Sequence, residues 1–274
     1  MFRVEERSTN SFATAYRTLS LIYHATVRSV RKTHGNALVS LFINLFQTIV
    51  FVVAFYVIFQ LLGVRGAGLR GDFMMYVLSG VFLFMTFTKT MGAVFGSEGP
   101  ASPMMKHPTM NTMVAIGAAA LSSLYIQAMS VLVILTGYQL VTHNVAIHDP
   151  GGAAKVMLLA WTGGAALGMV FLAAKPWAPN GTKMIQTIFS RVNMFASGKM
   201  FVANTLPAFM LPLFAWNPLF HLIDQMRGYV FLNYTPRHTN LEYPFWIMVG
   251  CMMIGLMGEF YTRRRASISW SAAR

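Results

Sequence analysis

The chain has 274 residues, 55% of them hydrophobic and only 11% charged, with 21 Lys and Arg against 8 Asp and Glu. So little charge among so many apolar residues excludes an ordinary water-soluble enzyme or binding domain. The formal charge of +13 invites a nucleic-acid reading, but its distribution along the chain argues for a membrane instead.

Residues 1–36 are mostly polar, and the apolar run that follows them is longer than the core of a signal peptide, so a cytoplasmic tail is expected there. Residues 10–34 of that tail read as an amphipathic helix on the membrane face. Phe12, Tyr16, Leu19, Ile22, Tyr23, Val27 and Val30 recur at helical spacing, opposed by Arg17, His24, Arg28 and Arg31. Such a helix serves equally as an anchor for the first span or as a docking surface for a partner.

A bilayer core of roughly 30 Å needs about 20 apolar residues of helix. Residues 37–62 and 73–92 are predicted as the first two spans, joined by a short Gly/Arg loop. Asn44 and Gln47 share a face of the first and are expected to hydrogen-bond a neighbouring helix. Residues 93–112 carry Gly96, Gly99, Pro100, Pro103 and Pro108 with Glu98 and Lys106, which predicts a cytoplasmic loop with a short helical turn. Residues 113–139 and 153–174 form the third and fourth spans, and an external loop with His143, His148 and Asp149 joins them. Gly164 and Gly168 in the fourth make a small-xxx-small pair suited to close helix packing.

The predicted fifth span, 184–206, is unusual because it contains Arg191 and Lys199. Eight residues apart on a helix, they lie about 80° apart around its axis. Cations at membrane depth usually face a bundle interior or a wet cavity, so at least one is expected beside a water-filled pathway. Residues 207–244 follow as two short helices dipping into the outer leaflet, broken at Asn217-Pro218. The second has an apolar stripe of Leu219, Leu222, Ile223, Met226 and Val230, with His221, Asp224 and Arg227 elsewhere on its turns. The sixth span is 245–262, where Glu259 and Arg263 are spaced for an i,i+4 pair, and 263–274 is a second cytoplasmic tail.

With both termini cytoplasmic, that side receives Arg3, Arg7, Arg17, Arg28, Arg31, Lys32, Lys89, Lys106, Lys175, Lys183, Arg263 to Arg265 and Arg274. The other side receives only Arg65, Arg70, Lys155, Arg227 and Arg237. The bias satisfies the positive-inside rule.

Catalytic chemistry has little to work with. No acid lies near the centre of a span, so a proton relay lacks its usual parts. Cys251 is the only cysteine, which excludes an intrachain disulfide. His143, His148 and Asp149 are too loosely spaced for a metal site, and no catalytic triad is apparent. Gly198-Lys199 falls short of a phosphate loop, because residue 193 is Asn and residue 200 is Met. Uphill transport would need energy from another subunit, with residues 93–112 and helix 10–34 as docking surfaces.

Two strings carry a family likeness. Phe195-Ala196-Ser197-Gly198 resembles the Phe-x-Ser-Gly signature of ABC-2 permeases that export capsular polysaccharide and O-antigen. Trp216-Asn217-Pro218-Leu219-Phe220-His221, followed by Arg227 and Tyr229, is similar to their Asn-Pro-Leu-x-His…Arg segment. The layout of six spans, amphipathic helix and broken outer hairpin matches as well.

The resemblance implies a homodimer in the bacterial inner membrane, paired with two copies of an ABC ATPase and moving a polysaccharide or lipid-linked glycan. ATP and Mg would bind the ATPase and no cofactor this chain. It also implies coupling through Glu98, Pro100, Pro103, Lys106 and Tyr16, and a periplasmic gate containing Asn217, Pro218, His221, Asp224 and Arg227. Sugar rings stack on aromatic faces, which makes Phe195, Phe201, Trp216 and Tyr229 candidates for the substrate path. Arg191 and Lys199 would there favour an anionic polymer or phosphorylated carrier. A permease for a drug, lipid or lipo-oligosaccharide, and a non-transporting scaffold for glycan synthesis, are the alternatives.

Overall fold

The computed structural model describes residues 11–32, 37–61, 72–99, 111–142 and 146–269. Among them every regular element is helical: α1 (Ser11–Lys32), α2 (Ala37–Leu61), α3 (Phe73–Phe95), α4 (Thr112–Thr142), α5 (Pro150–Ala174), α6 (Pro179–Ala196), α7 (Leu211–Ala215), α8 (Pro218–Val230) and α9 (Glu242–Ser269). The helices α2, α3, α4, α5 and α9 are long and apolar enough to cross a bilayer, so the chain is a multi-pass membrane protein.

These five helices cover the predicted spans and overrun several of their ends, because capping sets where a helix stops. Asp149 accepts the Gly152 amide at 2.9 Å with Pro150 at the first helical position, so α5 starts three residues ahead of its apolar run. Asp72 caps α3 through Met74 N, and α3 continues to Phe95 before Gly96 N closes on Gly92 O at 2.9 Å.

The predicted fifth helix is corrected. α6 begins at Pro179, ends at Ala196, and gives way to a turn in which Gly198 has a φ of +74°, in the left-handed region. Lys199 is therefore off the helix, and its angular relation to Arg191 does not exist. α6 is not among the five apolar crossings because Lys183, Gln186, Ser190, Arg191 and Asn193 interrupt it. A second correction concerns Glu259, which is buried with Oε1 unpartnered, while Arg263 turns to Asn111 Oδ1 at 3.5 Å.

α3 is the central helix, with Leu83, Met91 and Val94 fully enclosed. α5 packs between α3 and α9. Small residues let these backbones approach: a Cβ at Gly168 would stand 2.8 Å from Met91 O, one at Gly164 would collide with the Phe87 carbonyl, and one at Gly255 would reach Met169 Cβ at 2.8 Å. The short helix α8 is no surface element. It packs on α3, α5 and α9, with Leu219, Phe220, Leu222 and Ile223 almost wholly buried. α1 lies along α4, where Ser29 and Ser122 hydroxyls meet at 3.1 Å. Elsewhere α2 and α9 present exposed apolar faces, including Phe42, Phe46, Trp246, Met253 and Met257, to lipid or a partner.

Candidate functional site

α6, the turn after it and α8 meet in one polar knot within an otherwise apolar bundle. Asn217 begins it. Its side-chain oxygen accepts Leu219 N at 3.0 Å, capping α8, while its amide donates to Asn193 Oδ1 and to Ala196 O, both at 2.9 Å. Pro218 follows at the first helical position, where its missing N–H costs nothing. The side chain of one residue thus joins the end of α6 to the start of α8.

One face of α8 carries His221, Asp224 and Arg227, all buried. Arg227 reaches the turn after α6: Nη1 donates to Gly198 O at 3.0 Å and to Phe201 O at 2.6 Å, and Nη2 to Lys199 O at 2.8 Å. Its guanidinium also lies 4.2 Å from the Tyr76 ring centroid on α3. Backbone dipoles and a π face therefore stand in for the water this cation gave up. Asp224 accepts hydrogen bonds from the Tyr234 hydroxyl and, at 2.7 Å, from Thr239 Oγ1. Burial first, and then Asp224, raises the Tyr234 phenol above its ordinary value. His221 donates from Nε2 to Ala215 O at 2.8 Å and accepts the Asn240 amide on Nδ1 at 3.2 Å, which defines its neutral tautomer. The segment after α8 is thereby strapped back along it.

Lys199 points the other way. Its residue is 2% exposed, and its ammonium has no hydrogen-bond partner. It sits in a box of phenyl rings, 3.5 Å from the Phe84 centroid and 4.6 Å from those of Phe51 and Phe55. The rings hold it by cation–π attraction, worth about 2 kcal/mol or more in a desolvated setting. Their order along α2 and α3 was unremarkable in the sequence, where each reads as a lipid-facing or packing residue.

The other predicted residues scatter. Arg191, Phe195 and Trp216 are exposed, and the Trp216 indole donates locally to Leu213 O at 2.7 Å. Phe201 packs on Phe214 with centroids 4.6 Å apart and belongs to the knot. Tyr229 lies against Gly152 at the start of α5, and its carbonyl accepts the Asp149 amide at 2.8 Å. On the proposed coupling surface, Tyr16 is exposed and Glu98 half-buried, whereas Pro100, Pro103 and Lys106 lie outside the described residues.

Sequence reasoning missed Lys89. Counted only as a cation of the cytoplasmic side, it lies inside α3 and donates to Asn44 Oδ1 and, at 3.0 Å, to Gln47 Oε1. Asn44 in turn donates to Ser130 Oγ at 2.6 Å. Its position within the apolar run 73–92, opposite the Asn44 and Gln47 face, was the available signal.

No group of three or more His, Cys, Asp or Glu suited to a metal comes together among the described residues. What the knot does mechanically is couple α6, α8 and α3. Compared with family models and with curated proteins, the chain matches none.

Proposed function

We propose that this chain is the permease subunit of an ATP-driven exporter for a cell-surface polysaccharide or lipid-linked glycan. The observation that carries the reading is the contact between its two family-like strings. Asn217 and Arg227 of the second bind the carbonyls of Ala196, Gly198, Lys199 and Phe201, in and just after the first. Residues that resemble one family in two separate places also depend on each other physically, as a gate built from both would require.

In this reading α6 is a fifth, partly polar crossing and α9 the sixth. Both termini lie in the cytoplasm of a bacterial inner membrane. α7 and α8 form the outer gate. Two copies surround the path, with the exposed apolar sides of α2 and α9 as available contact surfaces. Two partner ATPases supply ATP hydrolysis and dock near Glu98 and α1. Of the cations Arg191 and Lys199, only the first is placed to meet an anionic substrate, because Lys199 faces phenyl rings.

The direct test is affinity purification of the intact chain from its native membrane. An ATP-hydrolysing subunit should copurify, and its turnover should rise with the glycan. Purification of the chain in a glycan-synthesis complex with no ATPase would favour the scaffold alternative.

A further inference from the structure

A cavity of about 930 Å³ opens among α1, α2, α3 and α4, apart from the knot around Arg227. Its lining includes Arg28, Lys89, Asn44, Gln47, Gln127 and Ser123. Its walls are mainly apolar, as is usual for a pocket of that size. Here the polar groups converge from four helices.

Lys89 is the informative residue. Its ammonium carries three protons, and two go to the neutral amide oxygens of Asn44 and Gln47. No carboxylate accepts the third among the hydrogen bonds it makes. Arg28 lines the same space from α1, with an exposed side chain. Among the described residues Glu98 is the one acid on the lining, and it already has an interaction of its own. Two cations stand against one acid among the described residues of the lining, with Arg28 at the exposed mouth and Lys89 deeper between the helices. Hydroxyls stand by: Ser123 shares a 3.0 Å hydrogen bond with Thr90, and Ser29 one of 3.1 Å with Ser122.

We propose that this cavity binds a phosphate-bearing anion, with Lys89 and Arg28 as its charged ligands and the surrounding hydroxyl and amide groups completing the shell. A phosphate presents several strong acceptor oxygens and negative charge, which answers both the spare ammonium proton and the charge excess. Headgroup phosphate of a membrane lipid and free phosphate or pyrophosphate share that chemistry. The inference adds to the export reading without depending on it.

The test uses the purified full chain in detergent, with native mass spectrometry as the readout. Phosphatidic acid and a diacylglycerol of the same chains are titrated in parallel, and inorganic pyrophosphate is added as a competitor. Phosphatidic acid should bind at least about tenfold more tightly than the phosphate-free lipid. Lys89→Met and Arg28→Gln should each weaken that binding severalfold, and Lys155→Gln on α5 should not. Arg28 is exposed, so its variant keeps the test open if Lys89→Met fails to fold. Displacement by pyrophosphate supports recognition of the phosphate from either source, whereas retention of the lipid supports a headgroup site that also uses the chains. Equal binding of the two lipids, or wild-type affinity in both variants, would overturn the proposal. No ATPase enters the measurement, so export can fail while phosphate binding holds, and the reverse.

Discussion

Arg227 donates to the backbone carbonyl of Lys199 at 2.8 Å, so the buried cation on α8 positions the residue whose own cation is boxed by Phe51, Phe55 and Phe84. One arginine therefore links α8 to α2 and α3 through a turn of irregular backbone. Buried backbone of that kind needs a partner for its carbonyls, and the guanidinium supplies three hydrogen bonds to it.

Replacing Arg227 should be costly. A lysine lacks the planar fork, and its single nitrogen cannot occupy both positions from which Nη1 and Nη2 reach the three carbonyls. Arg227→Lys should lose about 2–4 kcal/mol, given that a hydrogen bond to a charged group contributes roughly 1.5–3 kcal/mol. Thermal unfolding in detergent, followed by size-exclusion fluorescence, reads this as a lowered midpoint. A wild-type midpoint would mean that the carbonyls are satisfied without the guanidinium.

Lys199 separates shape from charge. Methionine has a similar length and no charge to desolvate, so Lys199→Met should be as stable as the wild type or more so. Lys199→Ala leaves the phenyl box empty and should cost about 2–5 kcal/mol. If methionine proves as damaging as alanine in the same unfolding assay, the ammonium itself holds the box together.

Gly198 should tolerate no side chain. At φ +74° a Cβ is strained, and it would also run into the Phe220 ring. Gly198→Ala should destabilise by about 1–3 kcal/mol from these two causes. The hydroxyl of neighbouring Ser197 is buried without a partner, so Ser197→Ala should be neutral or stabilising. Comparing the two variants side by side isolates the backbone effect.

Two glycines in different places make a matched pair. Gly164→Ala forces a methyl against the Phe87 carbonyl and should cost about 1–3 kcal/mol by pushing α5 off α3. Gly92→Ala meets nothing within 4 Å and should stay within about 0.5 kcal/mol of wild type. Midpoints from the same unfolding assay check both.

How much of this was legible depended on the kind of signal. Apolar runs gave α2, α3, α4, α5 and α9, because bilayer thickness imposes a length that sequence alone can meet. The broken hairpin was legible too, since Asn217-Pro218 is a cap followed by a first-turn proline. The end of α6 was not. Apolarity continues through Met200, Phe201 and Val202, and only the left-handed Gly198 turns the chain there. Nor was the phenyl box, which joins rings from two helices around a lysine distant in sequence. Lys89 was hidden for the opposite reason: counting it with the cations of the cytoplasmic side suited the charge rule, and that count discarded its depth.

The central functional proposal is that this chain conducts a glycan under the control of an ATPase. Reconstituting the chain with its copurified ATPase in proteoliposomes, and measuring glycan carried across the bilayer with and without ATP, tests it most directly. The account predicts glycan movement that requires ATP and falls with Gly198→Ala. Copurified ATPase that hydrolyses ATP while no glycan moves, or movement that ignores ATP, would contradict it.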